Sequence, residues 1–332
     1  MIGRCQVRSA PHVARFGDNG HVLRALSFVA ITSVIGCTGD PPGMAIDSGA
    51  DIDGTQDGST IDTPGGGLVP GSLTVVWMHG SQNCAQNTDP ELQEHAYNAT
   101  TIIFRQNKCR TFEAPFIYLL IGETSALLID SGATNTATLR NAVRARIGAK
   151  PLLVAHTHAH GDHTAGDPQF SGQANTMVVG TAITAVRAAF GTTATTGATK
   201  DLGNRVLDIF EIPGHQAAHI AIYDRNTGLL FTGDTLYPGL LFVQDWTQFR
   251  ASAGKLAQWV QSHPTAYVLG AHVEMTSTPK QNYPYMTTYQ PNEHVLQLGA
   301  THVMMLDAAT QQLGPTAPAA PVAYDDFVID PP

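Results

Sequence analysis

Apolar positions along this chain gather into short, dense runs. Phe116-Ile117-Tyr118-Leu119-Leu120-Ile121 and Ala126-Leu127-Leu128-Ile129 are continuous stretches of strand length, as is Leu152-Leu153-Val154-Ala155. Runs of this kind read as strands covered on both faces. Together with shorter runs near 73–78 and 101–105, they predict an antiparallel opening sheet. Helical spacing comes next, over Thr136 to Ile147 and Thr181 to Phe190. The theme then repeats, with strands near 206–212, 219–223, 229–233 and 266–270 and a helix across Gln248 to Ser262. A closing helix is expected from His294 through Leu306, and a loose Pro/Ala tail over 315–332. Strand-rich then mixed, twice over, predicts two packed α/β halves.

Residues just past the strand runs carry the chemistry. The run ending at Ala155 leads into His156-Thr157-His158-Ala159-His160-Gly161-Asp162-His163. Imidazoles and carboxylates are the nitrogen and oxygen donors that zinc and similar divalent ions prefer. Three later strand runs end in the same way, in Pro213-Gly214-His215, Gly233-Asp234 and Gly270-Ala271-His272. Four strand ends thus each bring ligand-type residues to one sheet edge, which predicts a shared metal site. His156 and His219 are expected to pack, or to hold a ligand in place, rather than to ligate.

The pattern His158-x-His160-x-Asp162-His163, then Gly214-His215, Gly233-Asp234 and His272, resembles the metallo-β-lactamase-fold hydrolases over about residues 116–276. The resemblance implies an α/β fold, a four-layer αβ/βα sandwich. It implies two zinc ions, the first held by His158, His160 and His215, the second by Asp162, His163 and His272, with Asp234 between them. Asp130, at the strand end Ile129-Asp130-Ser131-Gly132, would be a buttress. Paired divalent ions activate water and polarise the oxygen of the scissile bond. The expected activity is therefore hydrolysis, with metal-bound hydroxide attacking an ester, lactone or thioester carbonyl, and with Asp162 and Asp234 positioning the nucleophile. Tyr237, three residues after Asp234, is similar in position to a tyrosine of the lactonase branch and is a candidate oxyanion donor. The run Phe231 to Leu236 also resembles glyoxalase II-type thioesterases, but after Lys255 only Lys280 is a fixed cation. Three alternatives share the fold or the ligands: β-lactam hydrolysis, an iron-dependent sulfur dioxygenase, and a non-catalytic metal-binding lipoprotein.

Composition adds boundaries. Ala25 to Ile35 is too short to span a bilayer but suits a signal-peptide core, and Val34-Ile35-Gly36-Cys37 looks like a bacterial lipobox. Residues 1–36 are thus expected to be a lipoprotein signal, with Cys37 lipidated and the protein exported to the periplasm or cell surface, Thr38 pointing to the outer membrane. Initiation at Val22 would give a more compact leader. Residues 37–70 hold six aspartates among Gly, Ser, Thr and Pro, with no Lys or Arg, and read as a flexible tether before a domain over 71–332. The whole chain carries 18 basic and 27 acidic side chains; leader and tether removed, 14 basic face 20 acidic. That balance argues against a nucleic-acid partner and leaves a small-molecule substrate. Cys84 and Cys109 remain for the folded part, either as a disulfide in an oxidising compartment or as two free thiols. Gln106-Asn107, Phe112 to Phe116 and Pro279 to Pro291 read either as walls of the cleft or as self-packing surface loops.

Overall fold

The computed structural model describes residues 67–332; the expected leader, Cys37 and the acidic stretch up to residue 66 lie outside the described residues. The opening sheet comprises β1 (Leu92–Asn98), β2 (Thr101–Gln106), β3 (Phe116–Ile121), β4 (Ala126–Ile129), β5 (Leu152–Ala155) and β6 (Thr176–Val178), in that spatial order. Pairing is antiparallel through β4 and parallel from β4 to β6. Between these last strands lie α1 (Ala137–Ile147), α2 (Gly161–Thr164) and α3 (Asp167–Phe170).

After α4 (Ile183–Phe190) the second sheet is laid down from β7 (Ala198–Asp201), β8 (Val206–Glu211), β9 (Ile220–Asp224) and β10 (Leu229–Gly233). The chain then makes β11 (Leu240–Phe242), α5 (Trp246–Ser262), β12 (Tyr267–Gly270), β13 (Gln297–Leu298) and α6 (Ala300–Leu313). Spatial order in this sheet is β13-β12-β10-β9-β8-β7, again antiparallel except where β10 meets β12.

Alternation along each strand explains the layers. Phe116, Tyr118 and Leu120 of β3 face inward to meet Ile209, Ile222 and Phe231 of the second sheet. Ile117 and Leu119 face the other way, onto Leu139 and Val143 of α1. The outer face of the second sheet packs Phe210 and Tyr223 against α5 and α6 through Phe249, Leu256, Val303 and Leu306. Helix, sheet, sheet and helix follow one another, as in the expected αβ/βα sandwich. Both faces of the central strands are covered, which is why their sequences are nearly unbroken in apolar residues.

Three sequence expectations are corrected. Residues 73–78 are irregular rather than a strand: the side chain of Gln93 accepts from Met78 N at 2.5 Å and donates to Val76 O at 2.9 Å, occupying backbone groups a partner strand would use. The closing helix begins at Ala300, not His294. Gln297 and Leu298 pair with Leu269 and Val268 instead, and the amide of Gly299 donates to His302 Nδ1 at the helix start. Finally, the tail is ordered: β14 (Val322–Ala323) and β15 (Val328–Asp330) join β11 in a three-stranded sheet, with Phe327 and Ile329 fully buried. A disulfide joins Cys84 to Cys109.

Candidate metal centre

Each ligand-type residue sits where a strand ends. Beyond β5 the chain turns into α2, so His158, His160, Asp162 and His163 crowd one loop and one helical turn. His215 follows β8 through Gly214, whose φ is +140° and whose position would drive a Cβ to 2.4 Å from Phe249 Cα. Asp234 follows Gly233, where φ is +50° and a Cβ would lie 2.7 Å from Thr157 Cβ. Only glycine brings these two loops so close to their neighbours. His272 closes the set two residues after β12.

The seven residues converge as two groups, His158–His160–His215–Asp234 and Asp162–His163–Asp234–His272. In the first, His158 Nε2, His160 Nδ1 and His215 Nε2 form a triangle with edges of 2.9, 3.0 and 3.1 Å. Ligand bonds of about 2.0–2.1 Å in tetrahedral geometry set donor atoms roughly 3.3 Å apart, so the triangle fits one shared cation. In the second, Asp162 Oδ2 lies 3.1 Å from both His163 Nε2 and His272 Nε2. Asp234 addresses both groups. Its Oδ2 is 3.6 Å from His158 and His215, and its Oδ1 is 3.5 Å from His163 and His272. His163 Nε2 and Asp234 Oδ1 are buried without hydrogen-bond partners, a costly state that a cation relieves.

The far ring nitrogens are held by the scaffold. Nδ1 of His158 meets Thr157 Oγ1 at 3.1 Å, that of His163 meets Asp130 Oδ2 at 2.9 Å, that of His215 donates to Phe242 O at 2.7 Å, and that of His272 to Glu113 O at 3.2 Å. Such partners fix ring orientation. Asp130 also accepts from Thr157 N at 2.8 Å, the buttress expected of it. His219 stacks on His158 at 4.9 Å and accepts from Asp234 N, while His156 bonds Asp167 and Val179 O; neither belongs to the two groups.

Charge in the centre is strongly coupled. Burial opposes an imidazolium at His272, but Asp234 and the hydrogen bond to Asp162 outweigh it and raise its pKa to about 9. His163 is likewise raised, by Asp234, Asp130 and Asp162 against its own burial. Burial would favour neutral Asp162 and Asp234, yet the adjacent histidines hold both carboxyls well below the usual range. Burial pushes His158 down, and its histidine neighbours add to this.

Tyr237 departs from its expected role. It is buried with its ring 5.5 Å from that of His272, and its hydroxyl donates to Leu240 O at 2.5 Å with Glu274 Oε2 at 3.1 Å. In this arrangement the hydroxyl is bonded to the wall of the cleft. Of the candidate cleft loops, Phe112, Glu113, Tyr283 and Tyr285 line a cavity beside the centre, whereas Tyr289 packs on His79, Phe116 enters the core and Gln106 and Asn107 bind neighbouring loops. Lys108, Glu274 and Phe242 also line this cavity. Neither charged residue stands out in the sequence, because a lysine or glutamate beyond a strand reads as solvated surface.

Two adjoining His/Asp groups that share Asp234 and are compatible with metal, at one edge of an αβ/βα sandwich, define a class of protein. Residues 110–272, which carry all seven ligand-type positions, match the Metallo-beta-lactamase superfamily and form a domain of that superfamily. The chain is similar to a hydroxyacylglutathione hydrolase of Nitrosomonas eutropha, 34% identical over 155 residues, 45% of this chain and 58% of that protein. It is also similar to one of Rhodospirillum rubrum, 29% identical over 170 residues, 50% and 62% of the two chains. With an acyl-coenzyme A thioesterase MBLAC2 of Gallus gallus it shares 26% identity over 203 residues, 48% of this chain and 72% of that one. The chain thus spans only 58% and 62% of the two hydroxyacylglutathione hydrolases. Among solved structures, a metallo-β-lactamase from Erythrobacter litoralis aligns with a TM-score of 0.50 at 16% identity, covering 68% of this chain and 99% of that one, a likeness of fold.

Proposed function

We propose that this protein is a dinuclear-zinc hydrolase of ester, lactone or thioester carbonyls. The observation that carries the reading is Asp234, whose two oxygens face the two ligand groups at 3.5 and 3.6 Å. Such a carboxylate is suited to bridge paired cations. When bound, paired zinc ions supply Lewis acidity and a water deprotonated near neutral pH. The chain's own residues do the rest. Asp162 has the more exposed carboxylate of the two in the centre, with 17% of its side chain accessible against 10% for Asp234. It is placed to accept a hydrogen bond from attacking water at the cleft side. Glu113 O and Phe242 O keep His272 and His215 turned inward, and the Phe112 and Tyr285 rings shield the approach from solvent.

Thioester hydrolysis draws support from the activities that name the similar proteins of Nitrosomonas eutropha, Rhodospirillum rubrum and Gallus gallus. The scarcity of C-terminal cations argues for a leaving group other than an anionic tripeptide. The Cys84–Cys109 disulfide supports the export reading, since such bonds persist in oxidising compartments; in that reading the protein is a lipoprotein anchored at Cys37.

The test is metal analysis of chain purified without chelators, together with turnover of a panel of lactones, thioesters, simple esters and nitrocefin. About two zinc ions per chain are expected, with activity reduced by several orders of magnitude in His158→Ala. A single iron with oxygen uptake, turnover of nitrocefin alone, or full metal content with no turnover would each overturn the reading in favour of a dioxygenase, a β-lactamase or a binding protein respectively.

A further inference from the structure

The cavity beside the metal centre is small, about 50 Å³, room for a few atoms. Two of its walls are residues whose backbone carbonyls orient metal ligands: Glu113 O takes the Nδ1 hydrogen of His272, and Phe242 O that of His215. The cavity thus lies against the holders of both ligand groups. At the mouth, Phe112 and Tyr285 meet edge to face at 5.3 Å.

Inside stands an incompletely satisfied cation. Lys108 is 2% exposed, and its ammonium makes one hydrogen bond, to Phe112 O at 3.2 Å. An ammonium has three donors, and among the described residues no carboxylate lies within ion-pair distance of this one. Burial, with Arg105 nearby, pulls its pKa down to about 8. The disulfide at the adjacent Cys109 pins the segment that presents it. Glu113 lines the same cavity and offers a carboxyl there. Glu274 also lines the cavity, and its Oε2 accepts from Leu240 N at 2.9 Å. It remains as a fixed neighbour rather than a free partner.

We propose that Lys108 and Glu113 determine substrate specificity by selecting an uncharged acyl tail with both a hydrogen-bond acceptor and a donor, such as a carboxamide or a hydroxyl. The acceptor takes the spare donors of Lys108 and the donor binds Glu113. A carboxylate tail meets Glu274 and Glu113, an ammonium tail meets Lys108, and a methyl tail leaves the spare donors of Lys108 and the half-buried carboxyl of Glu113 without a partner. This deepens the hydrolase reading and rests on it for the orientation of the tail.

The test separates binding from turnover. Straight-chain hydroxamates grip a metal pair through their chelating end whether or not the protein is a hydrolase. Five of matched length, ending in methyl, hydroxyl, carboxamide, carboxylate or ammonium, are titrated calorimetrically into the metal-loaded full chain. The carboxamide or hydroxyl is expected to bind about tenfold to hundredfold more tightly than the methyl and the two charged tails. Lys108→Met should bring the carboxamide-to-methyl ratio close to one, and Glu113→Gln should reduce it less, since a glutamine still offers an acceptor. Equal affinities across the wild-type panel, a preference for a charged tail, or no binding at all would overturn the proposal, and these readouts stand even if Lys108→Met fails to fold. Turnover of the ester and thioester panel is scored separately. Tail-blind binding with turnover sinks the subsite alone, whereas tail-selective binding without turnover sinks the hydrolase and leaves the subsite.

Discussion

At the scale of single residues, the centre is a balance of charges. In the metal-free chain burial opposes charge on His163 and His272, but the neighbouring carboxylates Asp130, Asp162 and Asp234 pull both rings toward the protonated form. Metal binding needs both rings neutral, so uptake at pH 7 should release on the order of two protons per chain. Titrations in buffers of differing ionisation enthalpy would count them; a buffer-independent heat would refute the charge state. A raised histidine pKa contributes stability that is complete below the unfolded value near 6.5 and lost as pH climbs through about 9. The metal-free chain should thus become less stable across that window, while metal affinity rises over the same range. The seven residues that the structure brings together were legible in the sequence, since each is a metal-binding residue type at the end of an apolar run. Tyr237 and Lys108 were not. What each does depends on which partner reaches its polar end, Leu240 O for one and Phe112 O for the other, and such partners are set by tertiary folding.

At the scale of elements, strands buried on both faces were readable because burial imposes continuous apolar sequence. Elements at the sheet margins escaped. β1 reads Leu-Gln-Glu-His-Ala-Tyr-Asn, polar enough to pass for a loop, and becomes a strand through its register with β2. The run at 73–78 is apolar enough to predict a strand, but the amide of Gln93 takes its backbone groups. The C-terminal tail is the clearest case: its Pro and Ala content suggests a loose end, yet Phe327 and Ile329 seat into the core around α5 and α6. Phe327→Ala should therefore destabilise the protein by about 3–5 kcal/mol, read as a lower denaturant midpoint at unchanged slope. A shift no larger than that of an exposed surface substitution would mean the tail adds nothing to the core.

At the scale of the whole molecule, the repeated organisation expected from the sequence is visible in the two six-stranded sheets. Each has an antiparallel run followed by a parallel pairing, between β4 and β5 in one and β10 and β12 in the other. The ligand-bearing loops leave the same edge of both. Each group then draws two residues from either half: His158 and His160 with His215 and Asp234, Asp162 and His163 with Asp234 and His272. The peptide link between the halves, residues 191–197, is mostly exposed and contributes to neither group. A gene divided there would yield two polypeptides that share a core and both ligand-type groups, so that in the proposed reading metal would favour their reunion by mass action. Metal at a hundredfold over its dissociation constant would favour the reunited pair by about 2.7 kcal/mol for each site filled, so the fragments should copurify with zinc and part in chelator. In the intact chain the proposed metal binding couples in the same way, so its resistance to unfolding should rise with the metal its compartment supplies.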